Sequence, residues 1–286
     1  HNRNKNGQTG RMFGSHSTLI IDIGGGSTDI AVFTGNQLQY QTSLKFAGND
    51  LWYGQISRYF FEEFNSLHPQ LSNLVGKQTY GVIQAFFSDF QSKLLVNKED
   101  GHELFNFIFS IDDDLEKSGQ EKHFSNLLKD NDALKIVILY FYSAIIFHVL
   151  ELLKLKKFAV SNIRFINLTG RGSNMLRILG SLNSSRPTAV EEFTKNLFYE
   201  ITGNPQNDLE IHLIENSKEI TAWGGLEWLD SQTSGENIDK IDPIYYLGTG
   251  SEEHIYDYRR TTEIKSFIDH KESIIDNINL FHSKFF

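Results

Sequence analysis

The sequence contains no cysteine in 286 residues, which excludes a disulfide framework and thiol chemistry. Positive charge is also scarce: 27 basic residues stand against 36 acidic ones, for a net charge of −9, and no extended basic run is present. A nucleic-acid partner is therefore not expected. The lack of cysteine fits a cytoplasmic protein, and this is the location we expect.

Two kinds of apolar segment are missing as well. The first sixteen residues are polar and lack the apolar core of a signal peptide, so residues 1–16 are predicted to be a flexible linker or leader. The longest apolar run, IVILYFYSAIIFHVL at 136–150, is shorter than the roughly 20 residues that a membrane span needs. Charged Lys135 and Glu151 flank this run. The pattern predicts a buried helix and no membrane span.

The most informative segment that is present is LIIDIGGGSTDIAVF, Leu19 to Phe33. Largely β-branched apolar runs stand on both sides of three glycines, which predicts strands near 18–23 and 28–34. The glycines permit positive φ and place no side chain in the turn between the strands. An ordinary tight hairpin is the alternative interpretation, although such a turn needs fewer glycines and no paired acids.

The chemistry of this turn favours an anion and a hard cation. Successive glycine amides can point at one anion, and the hydroxyls that follow add donors. Carboxylates on both sides of such a loop are typical of Mg²⁺ held between protein and phosphate. The candidate residues are Asp22, Gly24, Gly25, Gly26, Ser27, Thr28 and Asp29.

A second glycine-containing turn lies downstream in IRFINLTGRGSNMLRILGSL, Ile163 to Leu182. A strand near 163–168 is followed by glycines and then by a helix predicted to begin near Asn174. Amides at such a helix start suit an anion or a polar ligand edge. The Arg171 side chain either stacks on a base or faces solvent. The candidate residues here are Gly170, Arg171, Gly172, Ser173 and Asn174.

DIGGGSTDIAVF resembles the second phosphate-binding motif of the actin-like ATPase superfamily, which includes actin, the 70-kDa heat-shock chaperones, sugar kinases and bacterial actin-like cell-division proteins. The following residues agree with this resemblance: a turn at Gly35-Asn36, a third strand near 37–44, and AGND opening a helix. The GRGS turn is similar to the adenosine motif of the family. SKEITAWGGLEWL, 217–229, resembles the glycine-containing helix that packs where the two lobes of these proteins meet.

The resemblance implies an α/β fold, specifically a ribonuclease H-like actin-type ATPase lobe. We expect a mixed sheet with three antiparallel strands first, then parallel strands that include 163–168, and flanking helices. Residues 17–67 and 133–286 would form this lobe, and residues 68–132 a small inserted subdomain. The two glycine turns should lie at the same edge of the domain.

The resemblance also implies the ligands. ATP or ADP with Mg²⁺ would be the cofactors, with Asp22 a magnesium-side carboxylate acting through water and Asp29 a second one. Residues 24–28 would hold the outer phosphates. The adenosine would lie against Gly170, Gly172 and Ser173, with Arg171 and Asn174 beside them.

In the family, the second phosphate motif normally follows a complete first lobe, whereas here it begins at Asp22. We therefore expect a second lobe whose partner is an N-terminal lobe of the same polypeptide, and which is inactive alone. The intact protein would be a chaperone-like or regulatory ATPase. A kinase or phosphatase lobe, or a non-catalytic protein-interaction module, is the alternative. No general base is identified in the sequence.

Overall fold

A computed structural model describes the greater part of the chain. The described residues are 16–35, 37–51, 77–96, 130–179, 188–205, 207–214, 245–246, 255–256 and 271–285, with isolated positions between 59 and 128.

A five-stranded mixed sheet forms the centre of the described structure, in the spatial order β3-β2-β1-β4-β5. The first three strands are antiparallel neighbours, and β4 and β5 continue the sheet in parallel pairing. The strands are β1 Ser17–Ile23, β2 Thr28–Thr34, β3 Gln37–Leu44, β4 Ile163–Thr169 and β5 Glu210–Leu213. A separate two-stranded sheet pairs β6 Tyr245–Tyr246 with β7 Ile255–Tyr256. The predicted α/β class and the antiparallel start of the sheet are confirmed.

The described helices are α1 Gly48–Leu51, α2 Lys77–Val96, α3 Asp132–Leu155, α4 Thr188–Thr202 and α5 Lys271–Phe285. Two 3₁₀ helices flank β4, at Val160–Asn162 and Arg171–Leu179. Of the expected inserted subdomain, the structure shows α2. The expected linker at 1–16 lies outside the described residues except for its last residue, and so does the predicted lobe-contact helix at 217–229.

Alternate residues of a strand point to the same side of a sheet, and on one side of this sheet these residues are apolar. Leu19 and Ile21 pair in register with Val32 and Ile30 on β2 and with Ile166 and Leu168 on β4, and all of them are buried. They belong to a single buried cluster that also contains Ile138, Phe141 and Ile145 of α3. The sheet and α3 therefore share one core.

Helix α3, Asp132–Leu155, extends beyond both ends of the apolar run at 136–150. The Asn131 side chain accepts a hydrogen bond from the Leu134 amide at 2.9 Å and caps the start of the helix. The expectation that this segment is too short to cross a bilayer is wrong by length and composition, because the helix has 24 residues and its most apolar 18-residue window has a mean hydropathy of 2.2. In the protein 67% of its most apolar window is buried. Core helices of water-soluble proteins pass the same length and composition test, so the test is a weak indication of a span.

Candidate functional site

The turn between β1 and β2 consists of Gly24, Gly25, Gly26 and Ser27. The Gly24 amide donates to the Ser27 carbonyl oxygen at 2.9 Å and closes the turn. The positive φ angles that these glycines would permit are not found in the turn, since among the described glycines they occur at Gly35, Gly170 and Gly203. Backbone conformation therefore does not explain the three consecutive glycines.

Asp22 and Asp29 face each other across this hairpin. They are direct partners in the antiparallel register of β1 and β2, so their side chains project from the same face of the sheet. Asp29 is exposed, and its carboxylate accepts hydrogen bonds from Ser43 Oγ at 2.6 Å and, more weakly, from Ser27 Oγ at 3.4 Å. The structure thus brings the two predicted carboxylates together at one end of the sheet.

The Asp22 carboxyl group lies in a less polar environment. Burial, and secondly the negative charge of Asp29, raise the pKa of Asp22 above its ordinary value. No salt bridge to Asp22 is found among the described residues. A cation placed between the two carboxylates would relieve both the desolvation and the repulsion.

Helix α1 begins directly against the turn. The Gly48 amide donates to the Gly24 carbonyl oxygen and the Asn49 amide to the Gly25 carbonyl oxygen, each at 3.0 Å. Amides at a helix start lack partners within the helix, and here two of them are satisfied by the turn. The carbonyl groups of Gly24 and Gly25 are therefore occupied by α1.

The second glycine turn packs onto the first, as expected from the sequence. A Cβ atom on Gly170 would collide with Asp22 Oδ1 and the Ile23 carbonyl oxygen. A Cβ atom on Gly172 would lie 2.7 Å from the Ile23 carbonyl oxygen and 2.9 Å from that of Gly24. Glycine at both positions allows two backbones to touch, and the φ of 85° at Gly170 independently favours glycine. Gly24, Gly48, Gly170 and Gly172 together form what we call the glycine junction.

Gly26 differs from the glycines of the junction. It is exposed, and a Cβ atom there would meet no protein atom within 4 Å. Within the described part of the chain, the amides of Gly25, Gly26 and Ser27 donate to no backbone carbonyl. These three consecutive donors have no backbone acceptor there, and they lie beside the two carboxylates, with Gly25 and Gly26 exposed and Ser27 half-buried.

Two predicted ligand hydroxyls are engaged within the fold. The buried Thr28 hydroxyl donates to the Phe46 carbonyl oxygen at 2.7 Å, and the buried Ser173 hydroxyl to the Gly170 carbonyl oxygen at 2.6 Å. Both side chains therefore stabilise the backbone around the site. A ligand would have to be bound by other donors.

The segment after Gly170 differs from the sequence prediction. It is a 3₁₀ helix that begins at Arg171, three residues before the expected start at Asn174. The reason is that the Ser173 amide bonds to the Gly170 carbonyl oxygen at 3.2 Å, the three-residue spacing of a 3₁₀ turn. The Arg171 side chain is exposed and Asn174 is half-buried.

Sequence reasoning did not place Gly48, Asn49 or Ser43 in the site. The sequence AGND after β3 predicts only the start of a helix. Ser43 could not have been found by counting from the turn at Gly35-Asn36, because a β-bulge between Val32 and Phe33 shifts the register by one residue and brings Ser43 opposite Asp29.

The acidic side chains that meet at this turn are Asp22 and Asp29. No group of three or more His, Cys, Asp or Glu side chains suited to a metal occurs among the described residues. Mg²⁺ commonly takes one or two carboxylates and completes its shell with water and phosphate oxygens. Asp22 and Asp29 can supply these carboxylate ligands.

No family model and no curated protein matches the chain.

Proposed function

We propose that this chain is a nucleotide-binding lobe of an actin-like ATPase that binds Mg-ATP or Mg-ADP at the β1–β2 turn. The observation that carries the proposal is the row of amides at exposed Gly25, exposed Gly26 and half-buried Ser27, which donate to no described backbone carbonyl and are adjacent to the opposed carboxylates Asp22 and Asp29. Amides suit phosphate oxygens, and carboxylates suit the cation that accompanies them.

The glycine at position 26 supports the proposal separately. Neither a positive φ nor a protein contact requires glycine there. Close approach of a ligand to the backbone is a sufficient reason for the missing side chain. An ordinary hairpin turn gives no reason for it.

In the proposal, the phosphates lie over residues 24–27 and the adenosine extends toward Gly170, Arg171 and Asn174. The exposure of Gly25, Gly26 and Asp29 leaves this site open on one side. A second lobe of the same polypeptide would close it and supply the groups that phosphoryl transfer needs on the other side. Whether the intact protein acts as a chaperone-like ATPase, a kinase or an interaction module depends on that lobe.

A substitution at Gly26 tests the proposal. Gly26→Val places a side chain where the protein leaves space, so the melting temperature should change little. Affinity for Mg-ADP, measured by calorimetry, should fall at least about tenfold because the side chain blocks the amides, a loss of about 1.4 kcal/mol.

The matched control is Gly81→Ala on α2, where a Cβ atom also meets no protein atom within 4 Å. It should stabilise its helix and leave Mg-ADP affinity unchanged. Equal nucleotide affinity in wild type and Gly26→Val would contradict the proposed binding site.

A further inference from the structure

Four polar side chains form one row across the sheet at the end that carries the proposed site. Ser43 on β3 pairs in register with Asp29 on β2, Asp29 pairs with Asp22 on β1, and Asp22 pairs with Thr169 on β4. Register partners project from the same face of a sheet. Ser43 therefore lies on the side of Asp29 that is away from Asp22.

The two carboxylates in this row are held differently. Ser43 Oγ donates to Asp29 Oδ1 at 2.6 Å, a short hydrogen bond of the kind that charged acceptors form. Ser27 adds a longer contact of 3.4 Å to the other oxygen. Among the described residues no hydrogen bond to the Asp22 carboxylate is found. Asp29 is thus held by hydrogen bonds, whereas Asp22 is half-buried against the backbone of Gly170.

We propose that Ser43 is a positioning residue of the magnesium–nucleotide site, drawing the Asp29 carboxylate toward β3 so that a divalent cation fits between Asp29 and Asp22. This inference rests on the proposed function. Directly opposed side chains on antiparallel strands have Cβ atoms only about 5 Å apart, so the separation of their charged ends depends on how each is held. The bond from Ser43 fixes one of those ends before any ligand arrives.

A purely structural role for Ser43 makes a different prediction. Its hydrogen bond to Asp29 is solvent-exposed and would then contribute a little stability, with no effect on cation binding. The two roles are separated by the Mg²⁺ concentration at which nucleotide binding is half-maximal, because that midpoint does not respond to a small loss of fold stability.

The experiment titrates Mg²⁺ at fixed, millimolar ADP and follows the ADP-dependent rise in the melting temperature of the full chain. Ser43→Ala should raise the Mg²⁺ midpoint by about tenfold, the change expected from losing one hydrogen bond to a charged group. Ser43→Thr keeps a hydroxyl on the strand and should restore most of the wild-type midpoint.

The matched control is Ser17→Ala, at the other end of the same hairpin. Ser17 Oγ is 2.9 Å from Thr34 Oγ1, so this variant also loses a cross-strand hydroxyl contact. It should melt earlier than wild type but keep the wild-type Mg²⁺ midpoint.

The outcomes separate the two proposals. If wild type binds Mg-ADP and the Ser43→Ala midpoint equals the wild-type one, the positioning role is overturned and the proposed function stands. If Ser43→Thr behaves as Ser43→Ala does, the hydroxyl is not the cause and the positioning role is again overturned. If ADP with Mg²⁺ leaves wild type unaffected, both proposals are overturned.

Discussion

At the scale of single residues, Asp22 and Asp29 face each other across one hairpin but lie in different surroundings. Asp29 is exposed and accepts hydrogen bonds from two serines, whereas Asp22 is half-buried beside Gly170. Burial and the neighbouring Asp29 raise the pKa of Asp22, so the folded protein holds a proton on Asp22 at pH values where the unfolded chain has released it. The contribution of Asp22 to the free energy of unfolding therefore falls as the pH rises from 3.8, its ordinary pKa, through the raised pKa of the folded protein. At neutral pH the ionised Asp22 carboxylate still destabilises the fold.

Asp22→Asn removes this destabilisation because the amide carries no charge, and it keeps the shape of the side chain. The variant should melt at the same or a higher temperature than wild type at pH 7, and its advantage should shrink as the pH falls toward 3.8. The Mg²⁺-dependent part of ADP binding should be lost. Where the intact protein hydrolyses ATP, turnover should fall at least about tenfold.

An ordinary turn or capping aspartate would behave in the opposite way. Its replacement would cost about 1 kcal/mol of stability and leave nucleotide binding intact. Melting curves at several pH values and Mg-ADP titrations on the same Asp22→Asn preparation distinguish the two cases.

Gly172 provides a test of the glycine junction itself. Gly172→Ala places a Cβ atom 2.7 Å from the Ile23 carbonyl oxygen and 2.9 Å from that of Gly24, both of them backbone atoms. The two turns must then move apart, at a cost of about 1–3 kcal/mol, as for overpacking elsewhere. Denaturant unfolding should show this loss, while Gly26→Ala, which meets no protein atom, serves as the control. Unchanged stability in Gly172→Ala would mean that the two turns are not in contact.

At the scale of elements, α3 shares the sheet's core with parts of the other helices, and it carries a histidine within its apolar sequence. Burial lowers the pKa of His148 to about 4 from an ordinary value of 6.5. The ring Nε2 is buried, although part of the side chain reaches the surface. The unfolded chain therefore binds a proton on His148 at pH values where the folded chain does not.

This difference makes the stability of the α3 core depend on pH. The free energy of unfolding should fall by about 3 kcal/mol from this group as the pH drops from 6.5 to about 4, and should level off below that. His148→Gln cannot titrate and should lack this part of the slope. The measurement compares urea unfolding of wild type and His148→Gln across that range, and parallel pH profiles would contradict the assignment.

The elements themselves were largely predictable from the sequence. The predicted strands 18–23, 28–34, 37–44 and 163–168 lie within one residue of their observed ends. Apolar runs next to glycine-containing turns mark β1, β2 and β4, whereas β3 is bounded by the turn at Gly35-Asn36 and the helix start AGND. Strand β5, Glu210–Leu213, is not predicted from the sequence, because an alternation of polar and apolar residues over only four positions is too short to indicate a strand. The start of the 3₁₀ helix was missed because it depends on the bonds from Ser173 to Gly170.

Side-chain roles in the site were less predictable because they depend on partners that are distant in sequence. The sequence predicts Thr28 as a ligand donor, but its hydroxyl donates to the carbonyl oxygen of Phe46, eighteen residues later. Ser43 showed no sign of a role until strand register placed it beside Asp29. A local pattern can indicate which residue types gather in a turn, whereas tertiary contacts decide which of their polar groups are already used.

At the scale of the whole molecule, the sheet order brings three segments to one end of the domain although they are far apart in sequence. The turn at 24–27, the start of α1 at Gly48 and the turn at 170–172 touch through backbone atoms. Because β1 is central and pairs with both β2 and β4, the hairpin turn and the β4 turn must meet. The proposed nucleotide site is a consequence of this topology.

The most direct test of the account is an amide NMR titration of the isotope-labelled chain with Mg-ADP. We predict that the amide resonances of Gly25, Gly26 and Ser27 shift together, with half-saturation at about 0.1 mM or above, because one side of the site is open and each lost 1.4 kcal/mol weakens binding tenfold. Half-saturation at micromolar Mg-ADP would show that the site is complete without a second lobe. Unmoved resonances of these three amides at millimolar Mg-ADP would contradict the central claim that the β1–β2 turn binds the nucleotide phosphates.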